Sequence, residues 1–283
     1  MFMKKKIVCF FPGLGNQLIV YLFCKYLERK GNRVYAYFRL GDPNQHNGAK
    51  EILDCFDVDM PSSPWWLRYY ISALYRYPWL RPIPNFVYTE DIVEHSEFVE
   101  AVFYKGYWQD VDLYFEGNRD FFFGAAKKIR FHLPEDLGKK NKELKSHIES
   151  RPCISVHVRR GDYLRYSDIF GGICTPDYYA NALRMVKEQY FNPLVIAFSD
   201  EPVWVEDNFD FQGIDHLTVF WNKGHQSYLD MYLMSLCASS IIANSTFSYW
   251  GALLGVSKDM VVYPKKWFGE KGHRICPNHW IGV

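Results

Sequence analysis

Apolar residues recur along this chain in two rhythms, and their alternation predicts its elements. A short apolar run, Ile7 to Phe11, follows Lys4-Lys5-Lys6 and predicts a strand that stops at Pro12-Gly13-Leu14-Gly15. From about Asn16 to Lys30 the spacing becomes helical. Leu18, Ile19, Leu22, Phe23, Tyr26 and Leu27 form one stripe, and Gly31-Asn32 ends it. Arg33 to Phe38 is a second predicted strand. Strand, helix and strand in this order imply a parallel sheet.

The rhythm is lost between about residues 42 and 130. Pro61, Pro64, Pro78, Pro82 and Pro84 interrupt it. Residues 61–84 hold Trp65, Trp66, Tyr69, Tyr70, Tyr75, Tyr77 and Trp79 beside Arg68, Arg76 and Arg81, with no acidic residue. A helical subdomain with aromatic core contacts is the plainer reading. A membrane interface or acceptor surface is the other, because amphipathic rings and snorkelling cations suit both.

Lys127 to Ser150 reads as a charged helical connector broken at Pro134. Regular alternation then returns. Strands are predicted at 153–158, Leu194 to Phe198, Leu217 to Trp221, Ile241 to Ala243 and Met260 to Tyr263. Helices are predicted from Tyr228 to Cys237 and Tyr249 to Val256. Another begins at Thr175-Pro176-Asp177, with a hydroxyl cap, a first-turn proline and an acid near the positive helix end. Two α/β halves result: 1–150, carrying the aromatic insertion, and 151–283. Such a pair would place a ligand cleft between them.

Composition narrows the partners. A formal charge of +1 over 283 residues lacks the footprint of a nucleic-acid binder. The seven cysteines, Cys9, Cys24, Cys55, Cys153, Cys174, Cys237 and Cys276, are odd in number and show no zinc-like spacing. They read as reduced thiols of a cytoplasmic protein. The first apolar run is too short for a secretory signal, and no stretch has transmembrane length.

The chemistry gathers at strand ends. His157-Val158-Arg159-Arg160-Gly161-Asp162-Tyr163 closes the strand at 153–158. In an open α/β sheet that end faces the ligand crevice, and arginine offers a planar fork of donors matched to phosphate oxygens. Gly13 and Gly15 lie at a strand-to-helix turn where the backbone can approach a phosphate or sugar. The third glycine of a dinucleotide fingerprint and its acidic partner are missing, and so is a P-loop lysine, which disfavours both sites. Asn244-Ser245-Thr246-Phe247-Ser248 is a second donor-rich turn, able to cap a helix or hold a phosphate. It is also a formal glycosylation sequon, set aside without a secretory signal. Asp200, after Phe198-Ser199, is a turn cap or a partner for a base or ribose. Asp57-Val58-Asp59 and Asp110-Val111-Asp112 have the form of a metal–nucleotide-sugar motif, but neither clearly ends a buried strand, and both read as solvated turns. The Arg160-Gly161-Asp162 triplet is set aside as coincidence.

With these residues in order, the chain resembles the bacterial α-1,2-fucosyltransferases of glycosyltransferase family 11. Gly13 to Leu18, His157 to Tyr163 and Asn244 to Ala252 carry the likeness. Phe198-Ser199-Asp200 with Trp204, and Asp230 to Ser235, add to it. Tyr249-Trp250 stands where the family usually has two tryptophans, and residues 42–130 match little. The resemblance implies an α/β, GT-B-like fold of two Rossmann-like halves with a cleft between them. It implies transfer of fucose from GDP-fucose, with inversion, to O2 of a terminal galactose on an oligosaccharide or lipid-linked glycan precursor. It implies no cofactor and no metal. Arg159 would pair with the β-phosphate, and Arg160 would assist it or anchor the turn. His157 would lie near the guanosine and Asp200 against guanine or ribose. Ser245 and Thr246 would donate to phosphate, Phe247 would pack on the nucleoside, and Asn16 would reach in from the other half. Asp162 and Asp168 are the candidate bases. The expected location is the bacterial cytoplasm, with peripheral association at the inner membrane face. Two alternatives stand beside this reading: a metal-dependent transferase of another sugar nucleotide, and a non-catalytic glycan- or membrane-binding protein.

Overall fold

The computed structural model describes residues 4–38, 51–64, 66–77, 79, 86–90, 98–255, 258–269, 271–272 and 275–283. The chain forms two compact units, Met1–His132 and Leu133–Val283. The expected boundary at 150 therefore moves to 132. The reason is Leu144 on α6 (Lys139–Ser150), which is 1% exposed and packs with Cys153, Leu194, Ile196 and Phe198. The stretch read as a connector is a helix of the second unit, preceded by an extended segment and not by more helix.

In the first unit, β1 (Lys5–Phe10), β2 (Arg33–Phe38), β3 (Val87–Thr89) and β4 (Phe103–Lys105) form a wholly parallel sheet in the order β2-β1-β4-β3. Helix α1 (Leu14–Arg29) joins β1 to β2, as the apolar rhythm predicts. It begins two residues earlier than expected, so Gly15 and Asn16 lie in its first turn and only Gly13, at φ 104°, lies outside it. Alternation along the strands decides the layers. Cys9 and Phe103 meet α3 (Leu67–Arg76) through its buried Leu67, Ile71 and Leu74. Tyr104, on the opposite face, meets Phe23 of α1 with ring centroids 5.5 Å apart.

The first unit also contains α2 (Glu51–Cys55), α4 (Val111–Tyr114) and α5 (Arg119–Ala126). Asp110 is the N-cap of α4, its Oδ1 accepting from the Leu113 amide at 3.0 Å. That agrees with a turn reading, except that Asp110 is buried and not solvated. Asp57 faces the His132 ring at 2.9 Å.

The second unit is built on β5 (Cys153–Val158), β6 (Leu194–Ser199), β7 (His216–Thr218), β8 (Ser239–Ile241) and β9 (Met260–Tyr263). A small antiparallel pair follows, β10 (Lys266–Phe268) and β11 (Lys271–Gly272), and then β12 (Ile281–Gly282). The main sheet is parallel throughout, in the order β12-β9-β8-β5-β6-β7. Counted within this unit, that is the doubly wound 6-5-4-1-2-3 arrangement, whose order reverses between β5 and β8. The helices are α7 (Gly161–Arg165), α8 (Ser167–Phe170), α9 (Pro176–Lys187), α10 (Pro202–Asn208), α11 (Tyr228–Leu236) and α12 (Thr246–Leu253). Ile154, Val156 and Val158 face α9 and α10. Cys153 lies on the other face with α6 and α11. Ser155 and His157 share that second face by alternation. All six residues of β5 are buried.

The predicted strands at 33–38, 153–158 and 260–263 match the observed bounds. The one expected at 217–221 is shorter, and the one expected at 241–243 instead spans Ser239–Ile241. Thr175 caps α9 through the Tyr178 amide, with Pro176 in the first turn.

Candidate functional site

A doubly wound sheet opens its ligand crevice beyond the carboxyl ends of the strands where the order reverses. In the second unit those ends belong to β5 and β8. The segments leaving them carry Arg159 to Tyr163 and Asn244 to Phe247, so two motifs far apart in sequence reach one place.

Arg159 is held from two sides. Its Nε lies 2.9 Å from Asp162 Oδ1 and 3.4 Å from Asp200 Oδ2. Burial would weaken its charge, but the two carboxylates outweigh this and raise its affinity for the proton. Among the described residues no ion pair engages its Nη atoms, so the outer edge of the fork is not consumed by the pairing. Asp200 also braces the turn, its Oδ1 accepting from the Arg160 amide at 3.0 Å. A Cβ at position 161 would stand 2.7 Å from Asp200 Oδ2, so a side chain there would push that carboxylate aside.

Arg160 points elsewhere. Its Nε meets Glu201 Oε2 at 3.2 Å, and its guanidinium lies 3.4 Å over the Trp204 ring. The internal ion pair thus ties the turn after β5 to the start of α10. Asp168 sits exposed in the first turn of α8, away from these contacts.

His157 is 4% exposed, its Nδ1 buried without a hydrogen-bond partner, and its ring 5.8 Å from Phe247. Burial first, and Arg159 second, press its pKa down to about 3, so the imidazole is neutral. Phe247 packs into the apolar cluster of α6 and α11. Ser245 precedes α12 but makes no side-chain cap. It hydrogen-bonds with the Tyr163 hydroxyl, which also donates to the Asn244 carbonyl at 2.8 Å. Thr246 opens α12 and is partly exposed. Asn244 is buried, its Nδ2 donating to the Trp267 carbonyl at 3.1 Å and its Oδ1 facing Cys174 Sγ at 3.4 Å. The site therefore offers a charge-assisted fork, a helix N-terminus with hydroxyls and a buried aromatic edge. These suit a nucleoside diphosphate.

In the first unit's sheet β1 and β4 are neighbours at the centre. Gly13 and Asn16 follow β1, and Asn16 Oδ1 accepts from Gln109 Nε2 at 3.0 Å. Gln109 belongs to the turn after β4, which the sequence pattern did not single out.

The profile of glycosyl transferase family 11 matches residues 86–283. The chain belongs to glycosyltransferase family 11. Within this family it is 29% identical to the O-antigen biosynthesis glycosyltransferase WbnK of Escherichia coli, covering 97% of this chain and 99% of that one. It is 28% identical to the α-1,2-colitosyltransferase of Escherichia coli, covering 96% of each. Family 11 also relates it to galactoside α-1,2-fucosyltransferases. Among solved structures, POFUT1 in complex with GDP-fucose is similar with a TM-score of 0.50 at 12% identity, over 93% of this chain and 99% of that one. That likeness concerns the fold, and it places this family 11 chain in the GT-B class.

Proposed function

We propose that this chain transfers L-fucose from GDP-fucose to O2 of a terminal galactose, with inversion and without a metal ion. The observation that carries the reading is Arg159, oriented by Asp162 and Asp200 at the β5–β8 reversal. A diphosphate at the start of α12 would meet its fork. As the bond between the anomeric carbon and the β-phosphate oxygen breaks, negative charge grows on GDP, and the guanidinium stabilises it there. Ser245 and Thr246 donate to the phosphates in this reading, and His157 and Phe247 form the wall beside the nucleoside. Asp200 keeps Arg159 aligned and lies within reach of the base or ribose. Of the two candidate bases, Asp162 is the carboxylate in contact with Arg159. The acceptor is a galactose-terminated oligosaccharide or surface-glycan precursor, in keeping with the O-antigen relative.

A second donor is favoured by the relation to the colitosyltransferase. Colitose is L-fucose without its 3-hydroxyl, so the same phosphate machinery would serve both. The test is transfer from GDP-fucose and from GDP-colitose to lactose in excess EDTA, with linkage read by NMR. An α-1,2-fucosylated product is expected. Arg159→Ala and Arg159→Lys should each lose at least about a hundredfold in kcat, since a point charge cannot replace the fork. Transfer that requires added manganese would sink the metal-free reading. Activity within a few-fold in Arg159→Lys would sink the role of the fork.

A further inference from the structure

The turn leaving β4 is built under strain and braced from beneath. Trp108 has φ 58°, in the left-handed region that bulky side chains avoid. It is 0% exposed and stacks on Phe23 at 4.3 Å, with Tyr114 edge-on at 5.1 Å. The carboxylate of Glu90 accepts from the Trp108 amide at 3.0 Å and from the Tyr107 amide. A Cβ at Gly106 would fall 2.6 Å from Glu90 Oε2, so the carboxylate fills the space that a side chain would take. Burial raises the Glu90 pKa, and the two amides partly offset this.

The strained turn has one geometric result. Trp108 and Asp110 go inward, and Tyr107 and Gln109 stay partly exposed at the carboxyl end of β4. Beside them, at the end of β1, stand Phe11 and Asn16. Phe11 and Tyr107 have ring centroids 5.5 Å apart, and Asn16 and Gln109 are joined through their amides. Two tilted rings and two side-chain amides therefore meet at the carboxyl ends of the two central parallel strands, β1 and β4. None of the four carries a formal charge. Rings cover the C–H face of a pyranose and amides serve its hydroxyls, whereas a diphosphate would need cations.

We propose that Phe11, Asn16, Tyr107 and Gln109 form the binding platform for the neutral acceptor sugar, with Glu90 as its positioning residue. This rests on the reading of a galactoside acceptor. The experiment compares Tyr107→Ala, Gln109→Ala, Glu90→Ala and Glu90→Gln with the wild type. It measures KM for lactose, KM for GDP-fucose and the Kd of GDP by calorimetry. Both Tyr107→Ala and Gln109→Ala should raise the lactose KM at least tenfold and leave the GDP Kd within twofold. Glu90→Ala should copy them, and Glu90→Gln, whose amide oxygen still accepts both N–H groups, should keep the lactose KM close to that of the wild type. Should Glu90→Ala fail to fold, the two partly exposed positions decide. Unchanged lactose KM in both would overturn the platform, as would a rise confined to the GDP-fucose KM. A wild type that fucosylates no galactoside overturns the reading of the reaction instead. The platform is then judged by saturation-transfer NMR with methyl β-galactoside. Signal lost in Tyr107→Ala supports it, and no signal in the wild type overturns it.

Discussion

His157 shows how much one buried side chain can make stability depend on pH. Its folded pKa lies far below its ordinary value because burial and Arg159 both oppose the charged ring. The unfolded chain takes up a proton below about pH 6.5, and the folded chain does not until about pH 3. Stability from the neutral ring is complete above pH 6.5 and is lost as the pH falls, at about 1.4 kcal/mol per unit. Glu51 and Asp230 act in the opposite sense. Burial lifts both to about 7, so they weaken the fold as pH rises from the ordinary carboxylate range to neutrality. Comparison of His157→Asn with the wild type cancels their effect. Urea unfolding at pH 7 and pH 5 should show a smaller acid loss in the variant. An identical loss would mean that His157 is protonated in the folded state. The identity of this residue as a site candidate was legible from its strand end. Its neutrality was not, because that depends on six buried positions in β5 and on a ring from α12. Glu90 was not legible at all. Nothing in Thr89-Glu90 announces a brace for a turn that lies beyond a break in the pattern.

At the scale of elements, periodicity served best where apolar and polar residues alternate or a cap is explicit, as in β5 and the start of α9. It served least where a polar helix hides one apolar contact, as α6 does with Leu144. The aromatic stretch divides cleanly along α3. Leu67, Ile71 and Leu74 are buried, while Trp66, Tyr69, Tyr70, Tyr77 and Trp79 are exposed. The buried residues fit the reading of a helical subdomain with apolar core contacts. Trp65, Arg81 and the prolines at 78, 82 and 84 lie outside the described residues, as do Arg39 and Asp42. Rings exposed beside Arg76 suit the headgroup level of an anionic bilayer. Replacing Trp66, Tyr69 and Trp79 together by serine should reduce cosedimentation with phosphatidylglycerol vesicles several-fold and leave the thermal midpoint within a few degrees. A large fall in the midpoint would show these rings to be core. No described helix is long and apolar enough to cross a membrane.

At the scale of the whole molecule, the two units differ in what they offer chemically: a charged fork and hydroxyls in one, uncharged rings and amides in the other. The boundary at His132 makes a sharp prediction. A piece spanning 133–283 should fold cooperatively and bind GDP within about tenfold of the full chain. A piece spanning 151–283 lacks Leu144 and leaves Cys153, Leu194 and Phe198 uncovered, and it should not. Removing a buried leucine typically costs about 2–5 kcal/mol, a large part of a small domain's stability. Cooperative unfolding of the shorter piece would return the boundary to 150. The connectivity of the second sheet was implicit in the sequence as a series of strands. The order of strands within each unit was not, because parallel neighbours far apart in the chain leave no local mark.

That parallel order also has a consequence in time. β1 is made before β4, yet it lies between β2 and β4, and its Lys6 ammonium bonds the Ala101 carbonyl. At a synthesis rate of about 5–20 residues per second, roughly 5–20 seconds separate the two partners. Through that interval the nascent chain presents a half-paired apolar strand and an α1 stripe with its aromatic neighbours still inside the ribosome. The same long-range pairing that brings Asn16 beside Gln109 keeps the apolar strand half-paired until β4 is made.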